Sequence, residues 1–155
     1  MLTGAQVSAL GTSVNGLSQS QVEALAPAQL RSLSGAQLNA LDDLKLQAID
    51  ISKLQNAQIS AITITKLADS QVAAMSATQT RALSTAQIGL MSDSQVAAIS
   101  ATSIGELSLT QVASFSYAQL GLLTSPATNL STDQKDALRP GLTTLEYDTL
   151  FPPTP

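Results

Sequence analysis

The sequence predicts an all-α fold, an elongated solenoid of very short helices with about eight residues per repeat. Three observations carry that expectation. An S-x-x-Q-φ-x-x-φ pattern, with φ apolar, recurs through most of the 155 residues. Its Ser and Gln have the spacing of a helix capping box. A period of eight also cannot be laid along one continuous helix. At about 100° per residue, eight residues overshoot two turns by roughly 80°, so the apolar pair would wander around the surface and no heptad seam would survive.

The pattern is cleanest from Ser76, where SATQTRAL, STAQIGLM, SDSQVAAI, SATSIGEL, SLTQVASF and SYAQLGLL follow without a break. An earlier block, SQSQVEAL, APAQLRSL, SGAQLNAL and DDLKLQAI, holds the same frame from Ser18 to Ile49. Between them, DISKLQNAQISAI and TITKLADSQVAAM each read as a five-residue short repeat followed by an octad. Seven-residue variants stand at Gly11 (GTSVNGL) and Thr124 (TSPATNL), so the repeat changes length in whole units.

Within an octad the two apolar residues are three apart, on one helix face. The capping boxes predicted are Ser18/Gln21, Ser34/Gln37, Ser76/Gln79, Ser84/Gln87, Ser92/Gln95, Ser108/Gln111 and Ser116/Gln119, with further boxes at Thr3/Gln6 and Ser131/Gln134. In each, the hydroxyl accepts the third backbone amide and the Gln reaches back to the capping residue's own amide. A helix restarting at nearly every Ser keeps every apolar pair inside. Such a repeat cannot stand alone. Ordering its backbone costs on the order of 8–16 kcal/mol, and burying two Leu-sized side chains returns roughly 3–6 kcal/mol. Stacking on neighbouring repeats must supply the rest.

The competing architecture is a β-solenoid of pentapeptide-like type, because Leu44, Ile49, Leu54, Ile59 and Ile64 fall five apart. That register is short-lived and lacks the small or Asp/Asn residue such repeats place before the central apolar position. The expected organisation is a repeat solenoid over 1–123, a degenerate repeat and C-terminal cap over 124–150, and a Pro-rich tail over 151–155 that reads as a linker. Lys135 stands where an apolar residue belongs, as suits a terminal cap. Arg139-Pro140-Gly141 breaks the helix. LTTLEYDTL forms a last short helix from Thr143, with Leu142, Leu145, Tyr147 and Leu150 closing the end.

Composition argues against most chemistries. Seven scattered basic residues and a net charge of −4 do not suit nucleic acid or anionic lipid. There is no His and no Cys, so the commonest general base and the commonest zinc ligands are missing. No apolar run reaches membrane-spanning length. The N-terminus lacks the basic and apolar regions of a signal peptide. Asp42, Asp43 and Asp50 lack the spacing of a calcium loop, and an N-cap at Asp42 explains them better. No Gly-x-Ser-x-Gly elbow or phosphate-cradling loop is present. The sequence therefore predicts no enzyme, no catalytic residue, no cofactor and no metal site. The Gln column reads as capping rather than as a polar ladder offered to a ligand, and the Ser and Thr residues as caps and turns rather than glycan acceptors.

LTGAQVSAL at Leu2, LSQSQVEAL at Leu17, LSGAQLNAL at Leu33 and LSLTQVASF at Leu107 resemble the LTTAQVAAL-type repeats of very large secreted or surface-exposed bacterial proteins, often described as adhesin- or hemolysin-like. The resemblance covers about residues 2–123. It implies an extracellular or cell-surface spacer or stalk without activity of its own.

Two partner classes follow. A solenoid opening in mid-repeat exposes an apolar edge, with Val7, Leu10, Val14 and Leu17 as candidates. That edge is expected to meet a second copy head-to-tail or the adjoining repeats of a longer chain. The rival is a module whose groove grips a surface protein or glycan. It requires a row of exposed aromatics or charges at one repeat position, and only Phe115 and Tyr117 cluster.

Overall fold

A computed structural model of the chain describes residues 2–123 and 129–152, all helix, turn or irregular backbone with no strand among them. This is the all-α solenoid of short helices; the five-residue spacing of Leu44 to Ile64 does not build a β-coil. The chain forms two compact halves, Met1–Met75 and Ser76–Pro155.

The N-terminal half contains α1 (Gly4–Ala9), α2 (Gln19–Glu23), α3 (Pro27–Arg31), α4 (Gly35–Ala40), α5 (Asp43–Gln47), α6 (Asn56–Ala61) and α7 (Asp69–Ala73). The irregular repeats are 3-10 segments: Gly11–Gly16, Ile51–Lys53 and Ile64–Lys66. A five-residue repeat has no room for an α-turn and a corner, so it keeps only the tighter turn. The C-terminal half contains α8 (Ala77–Arg81), α9 (Thr85–Gly89), α10 (Asp93–Ala97), α11 (Ala101–Gly105), α12 (Leu109–Val112), α13 (Tyr117–Leu122), α14 (Thr132–Leu138) and α15 (Thr144–Leu150). A 3-10 turn at Arg139–Gly141 separates the last two, as the Pro-Gly pair dictates.

The corner between repeats needs no special residue. The second apolar residue ends its helix in extended backbone (φ −62°, ψ 141° at Leu41), and the capping residue continues extended (φ −66°, ψ 164° at Asp42). Two successive extended residues turn the chain, and any L-residue adopts them. Among the described residues the one glycine with positive φ is Gly11, at 53°, where α1 turns into the irregular seven-residue repeat.

In both halves a helix packs on the helix three repeats further along. In the N-terminal half α1 stacks on α3, α2 on α5 and α4 on α6; in the C-terminal half α8 stacks on α11, α9 on α12 and α10 on α13. Three repeats therefore make one coil, with a corner after each. Both apolar positions point inside: Leu38 and Leu41, Ile59 and Ile62, Ile88 and Met91, Leu120 and Leu123 are all buried. Thr80 replaces the first apolar residue of its repeat and is equally buried, its hydroxyl donating to the Ser76 carbonyl at 3.2 Å. The seven-residue repeat at Thr124 lies largely outside the described residues, but its last apolar residue, Leu130, is buried.

The C-terminal end differs from the sequence expectation in two places. Phe151, grouped there with the Pro-rich tail, is buried: its ring lies 5.0 Å from Tyr147, and Lys135 sits 5.7 Å from its centre. The last repeat thus extends one residue further, and Lys135 places its charge over a ring. Leu145 is 78% exposed and closes nothing, because it occupies an outward-facing position early in its helix.

The tightest glycine position is Gly35, where an added Cβ would lie 2.4 Å from the Ala61 Cβ of the next coil. Gly35→Ala is expected to lower stability by about 1–3 kcal/mol through overpacking. Adding Ala61→Gly should restore most of the loss, as read in urea-unfolding midpoints. Equal destabilisation with and without Ala61→Gly would contradict the close packing.

Candidate functional site

The feature that recurs throughout is the fourth position of the repeat. Each predicted Ser/Gln box is formed. In the box at Ser34, for example, the Ser hydroxyl accepts from the Gln37 amide at 3.2 Å, and Gln37 Oε1 accepts from the Ser34 amide at 3.0 Å. The boxes at Ser18, Ser76, Ser84, Ser92, Ser108 and Ser116 have the same geometry.

Capping alone would leave a glutamine at the surface, and here the sequence reading needs correction. Gln79, Gln87 and Gln95 cap as predicted, their Oε1 atoms accepting the Ser76, Ser84 and Ser92 amides at 2.9, 2.9 and 3.1 Å. All three are nonetheless buried, as are Gln29, Gln37, Gln58, Gln71, Gln111, Gln119 and Gln134. A buried primary amide must place its nitrogen as well as its oxygen.

For most of the column the second partner lies on the neighbouring coil. The side-chain nitrogen, Nε2, points away from its own helix and donates to backbone carbonyls. In the N-terminal half Gln37 donates to Val7 (3.0 Å) and Ser8 (3.2 Å), Gln58 to Leu30 (2.8 Å) and Leu33 (2.7 Å), and Gln71 to Leu46 (3.0 Å) and Ile49 (2.9 Å). Gln29 donates likewise to the Leu2 carbonyl. In the C-terminal half Gln111 donates to Arg81 (2.9 Å) and Leu83 (2.7 Å), Gln119 to Ile88 (3.5 Å) and Met91 (3.3 Å), and Gln134 to Leu107 (2.7 Å).

In the complete repeats these carbonyls belong to the two apolar residues of the repeat four back, or lie beside them. The three-repeat coil explains why. The corner preceding a repeat lies over the corner that ends the repeat four before it. A short helix leaves its last carbonyls without intrahelical donors, and the glutamine of the next coil supplies them.

The ladder counts repeats and not residues. Gln119 reaches back 31 and 28 residues. Gln58 spans one five-residue repeat and reaches back 28 and 25; Gln71 spans two and reaches back 25 and 22. Each short repeat removes three residues and leaves the register unchanged.

Lysine takes the fourth position in three repeats and acts as the donor in two of them. Lys45 Nζ donates to the Asn15 carbonyl at 2.7 Å, and Lys66 Nζ donates to the carbonyls of Asn39 and Leu41. Asn15 and Asn39 add a second rung: Asn15 Oδ1 accepts the Asp42 amide at 2.9 Å and Asn39 Oδ1 the Thr63 amide at 2.8 Å. Lys53 stays outside, 3.7 Å from Asp50.

The sequence carried a signal for this ladder. Capping boxes take Glu as readily as Gln, yet among the described residues every box is closed by Gln except the terminal one of α15, which uses Glu146, and the repeat at Ser100 has Ser103 in that place and no box. A carboxylate can cap but cannot donate. Where the capping hydroxyl is lost, at Ala26, Gln55 and Ala68, Gln29, Gln58 and Gln71 remain.

The acidic residues are held locally. Lys45, whose Nζ lies 2.9 Å from Asp42, keeps that carboxyl below its usual range, and Ser52 does the same for Asp50 through its hydroxyl. The Thr143 amide lowers Glu146. Asp43 lies 3.6 Å from Lys66. Among the described residues no three His, Cys, Asp or Glu side chains converge as a metal site would require.

The open edge is the second feature of interest. Gln6 and Gln21 cap their helices but belong to the first coil, and their Nε2 groups have no acceptor among the described residues; both side chains are exposed. They flank a groove of about 390 Å³ lined by Leu2, Leu17, Ala24, Leu25 and Gln29. The candidate edge residues divide. Val7 and Val14 are fully buried, since first apolar positions point to the coil axis even in the first coil. Leu10 is half-buried and away from the groove; Leu17 lines it. Leu2 and Leu25, not singled out by the sequence, complete the apolar lining. No family model matches the chain, and no curated protein or solved structure matches it.

Two outcomes follow. Gln58→Glu keeps an acceptor for the cap but turns a carboxylate toward two carbonyls, and should cost about 2–4 kcal/mol at neutral pH. Gln21→Glu, at an open corner, should cost little. Burial raises the folded pKa of the carboxyl introduced at position 58. The variant's stability should therefore be full below the unfolded carboxyl value of about 4.3 and fall as pH rises through the folded value. Urea melts at pH 3.5 and 7 read the difference, and equal losses for the two variants would contradict the ladder.

The natural ladder contains no carboxylate. Asp42, Asp50 and Glu146, with lowered pKa values, contribute stability that is present above the usual carboxyl range and lost as pH falls through their folded values. They are exposed, so the loss is small. Far-UV circular dichroism at pH 3 should stay close to the neutral spectrum; acid unfolding would show that carboxylates carry more of the fold.

Proposed function

We propose that the chain is a non-enzymatic structural repeat protein, a spacer or stalk segment of a bacterial surface or secreted structure. The observation that supports this most is the disposition of the polar column. The side chains a binding groove would present to a ligand, the fourth-position Gln and Lys, are largely turned inward onto the protein's own carbonyls. What remains outside is mainly Ser, Thr, Ala and scattered charges. The surface setting rests on the resemblance to LTTAQVAAL-type repeats.

The rival, a groove that grips a protein or glycan, lacks its row of anchors. Phe115 is buried and Tyr117 is 39% exposed, so the two do not form an outward aromatic pair. The exposed large apolar side chains within the repeats are spread over three positions, Leu109 and Tyr117 at the second, Leu44 and Leu145 at the third, Leu90 and Leu122 at the seventh, so no one position carries a row along the repeats. Among the described residues no helix is long and apolar enough to cross a membrane.

A spacer is a device whose length changes without loss of fold. Deleting the octad 84–91 should preserve cooperative unfolding and the helical spectrum, because the ladder re-forms one repeat along. Deleting 88–91 alone should destroy both, since half a repeat puts every later glutamine out of register. Thermal melts that show the octad deletion as damaging as the half-repeat deletion would count against a modular spacer.

A further inference from the structure

One corner of the N-terminal half brings an amine, a carboxamide and a carboxylate together. Lys45 stands at the fourth position of its repeat, and its side chain is 19% exposed. Its Nζ lies 2.9 Å from Asp42 Oδ2 and 3.3 Å from Asn15 Oδ1, and donates to the Asn15 carbonyl at 2.7 Å. The Asp42 amide donates to the same Asn15 Oδ1 at 2.9 Å. Asp42 is fixed in turn by its cap, Oδ1 accepting the Lys45 amide at 3.0 Å.

A ladder rung needs only the backbone carbonyl; the contact with the Asn15 carboxamide is additional. It joins three chemical roles. A lysine amine is a nucleophile once it gives up a proton. A carboxylate at hydrogen-bond distance is a base for that proton. A carboxamide oxygen held by two N–H donors is polarised, and the same donors stabilise the oxyanion that forms on attack. The fold holds these groups in contact across 30 residues of sequence, which replaces a chance encounter by a fixed one.

The next lysine corner serves as an internal control. Lys66 Nζ meets the backbone carbonyls of Asn39 and Leu41, with Asp43 at 3.6 Å. The Asn39 carboxamide is turned to the backbone instead, donating to the Ala61 carbonyl at 2.9 Å and accepting the Thr63 amide at 2.8 Å. The residue types are the same, but the amine is not on the carboxamide.

We infer that Lys45 and Asn15 join in an intramolecular isopeptide bond that staples the first coil to the second. Asp42 takes a proton from the Lys45 ammonium, and the neutral Nζ attacks the Asn15 Cγ. The carbonyl electron pair moves onto Oδ1, facing the Asp42 amide. On collapse the C=O re-forms, the Cγ–Nδ2 bond breaks, and Nδ2 takes a proton from Nζ and leaves as ammonia. Asp42 returns its own proton to the departing ammonia, so an ammonium and a carboxamide become a secondary amide and an ammonium ion, with no oxidant or co-reactant. The ion pair with Asp42 keeps the amine mostly protonated, so the bond forms slowly and faster as pH rises. Of the segments packed on α5, α2 carries the charged residue Glu23 and Ile64–Lys66 carries Lys66; Gly11–Gly16, which holds Asn15, carries none. The staple goes beyond the spacer proposal and fails separately from it, since an unlinked coil bears length equally well.

Intact-mass measurement of the full chain, during prolonged incubation at pH 9, should show the loss of one ammonia and not two. Trypsin should then release residues 1–31 joined to 32–53 through Asn15 and Lys45, with cleavage after Lys66 unimpaired. Lys45→Arg keeps a cation at the rung and should abolish the mass loss. Asp42→Asn keeps the cap and should slow it at least tenfold with the far-UV spectrum unchanged. An unchanged mass would overturn the proposal. So would a mass loss that persists in Lys45→Arg, because a cyclic imide at Asn15-Gly16 also releases ammonia but leaves Lys45 open to trypsin. A link through Lys66, or full-rate linkage in a folded Asp42→Asn variant, would contradict the assigned roles.

Discussion

A helix of five or six residues has more unpaired backbone groups than paired ones, and the rest of this structure is a consequence of disposing of them. The first amides and last carbonyls of any helix lack intrahelical partners. In a long helix they are a minor fraction; here they are most of the backbone. Buried amides and carbonyls left unpaired cost about 1–3 kcal/mol each, and a repeat with two apolar side chains has no such margin. The Ser and Gln of the box deal with the amide end locally. The carbonyl end is dealt with by the same Gln acting across one coil, with its second polar atom. One side chain thus closes the amide end of its own helix and the carbonyl end of another. Among the described residues no buried side-chain nitrogen or oxygen is left unpaired.

This arrangement fixes the corner and leaves the rest of the repeat free. Each corner must lie over another, so a coil holds three repeats whatever their length. An octad builds an α-turn, a five-residue repeat builds a single 3-10 turn, and both deliver a corner to the same place. Lys45 and Lys66 show that the donor need not be an amide; a long cation reaches the same carbonyls. The corner itself asks only for two extended residues, which explains how the capping position tolerates Ala26, Gln55 and Ala68.

Much of this was legible in the sequence. The octad frame, the capping boxes and the buried apolar pairs follow from spacing alone, because they concern residues three or four apart. The five-residue spacing of Leu44 through Ile64 pointed the other way, toward a β-coil, because apolar spacing does not distinguish a short 3-10 repeat from a strand. The coil of three and the ladder concern partners 22 to 31 residues away, which no local period encodes. Spacing therefore assigned Gln79, Gln87 and Gln95 a cap and gave no reason for their burial. The preference for Gln over Glu was the available trace of the ladder, since a box alone does not require it. Of the four residues expected at an apolar edge, only Leu17 lines the groove of the first coil. Val7 and Val14 follow the same inward rule as every other first apolar residue, so the surface falls to Leu2, Leu17 and Leu25.

A coil that turns its polar column onto itself is suited to bearing length and less to selecting a ligand, and the scaffold proposal rests on that arrangement. The most direct measurement is hydrogen exchange of the glutamine side-chain amides by NMR in dilute solution at about pH 6. If Nε2 carries the ladder, the amide protons of Gln37, Gln58, Gln71, Gln111 and Gln134 exchange at least a hundredfold more slowly than those of Gln6 and Gln21. Uniformly fast exchange across the column would show that the glutamines only cap, and that the coils are held by apolar contact alone.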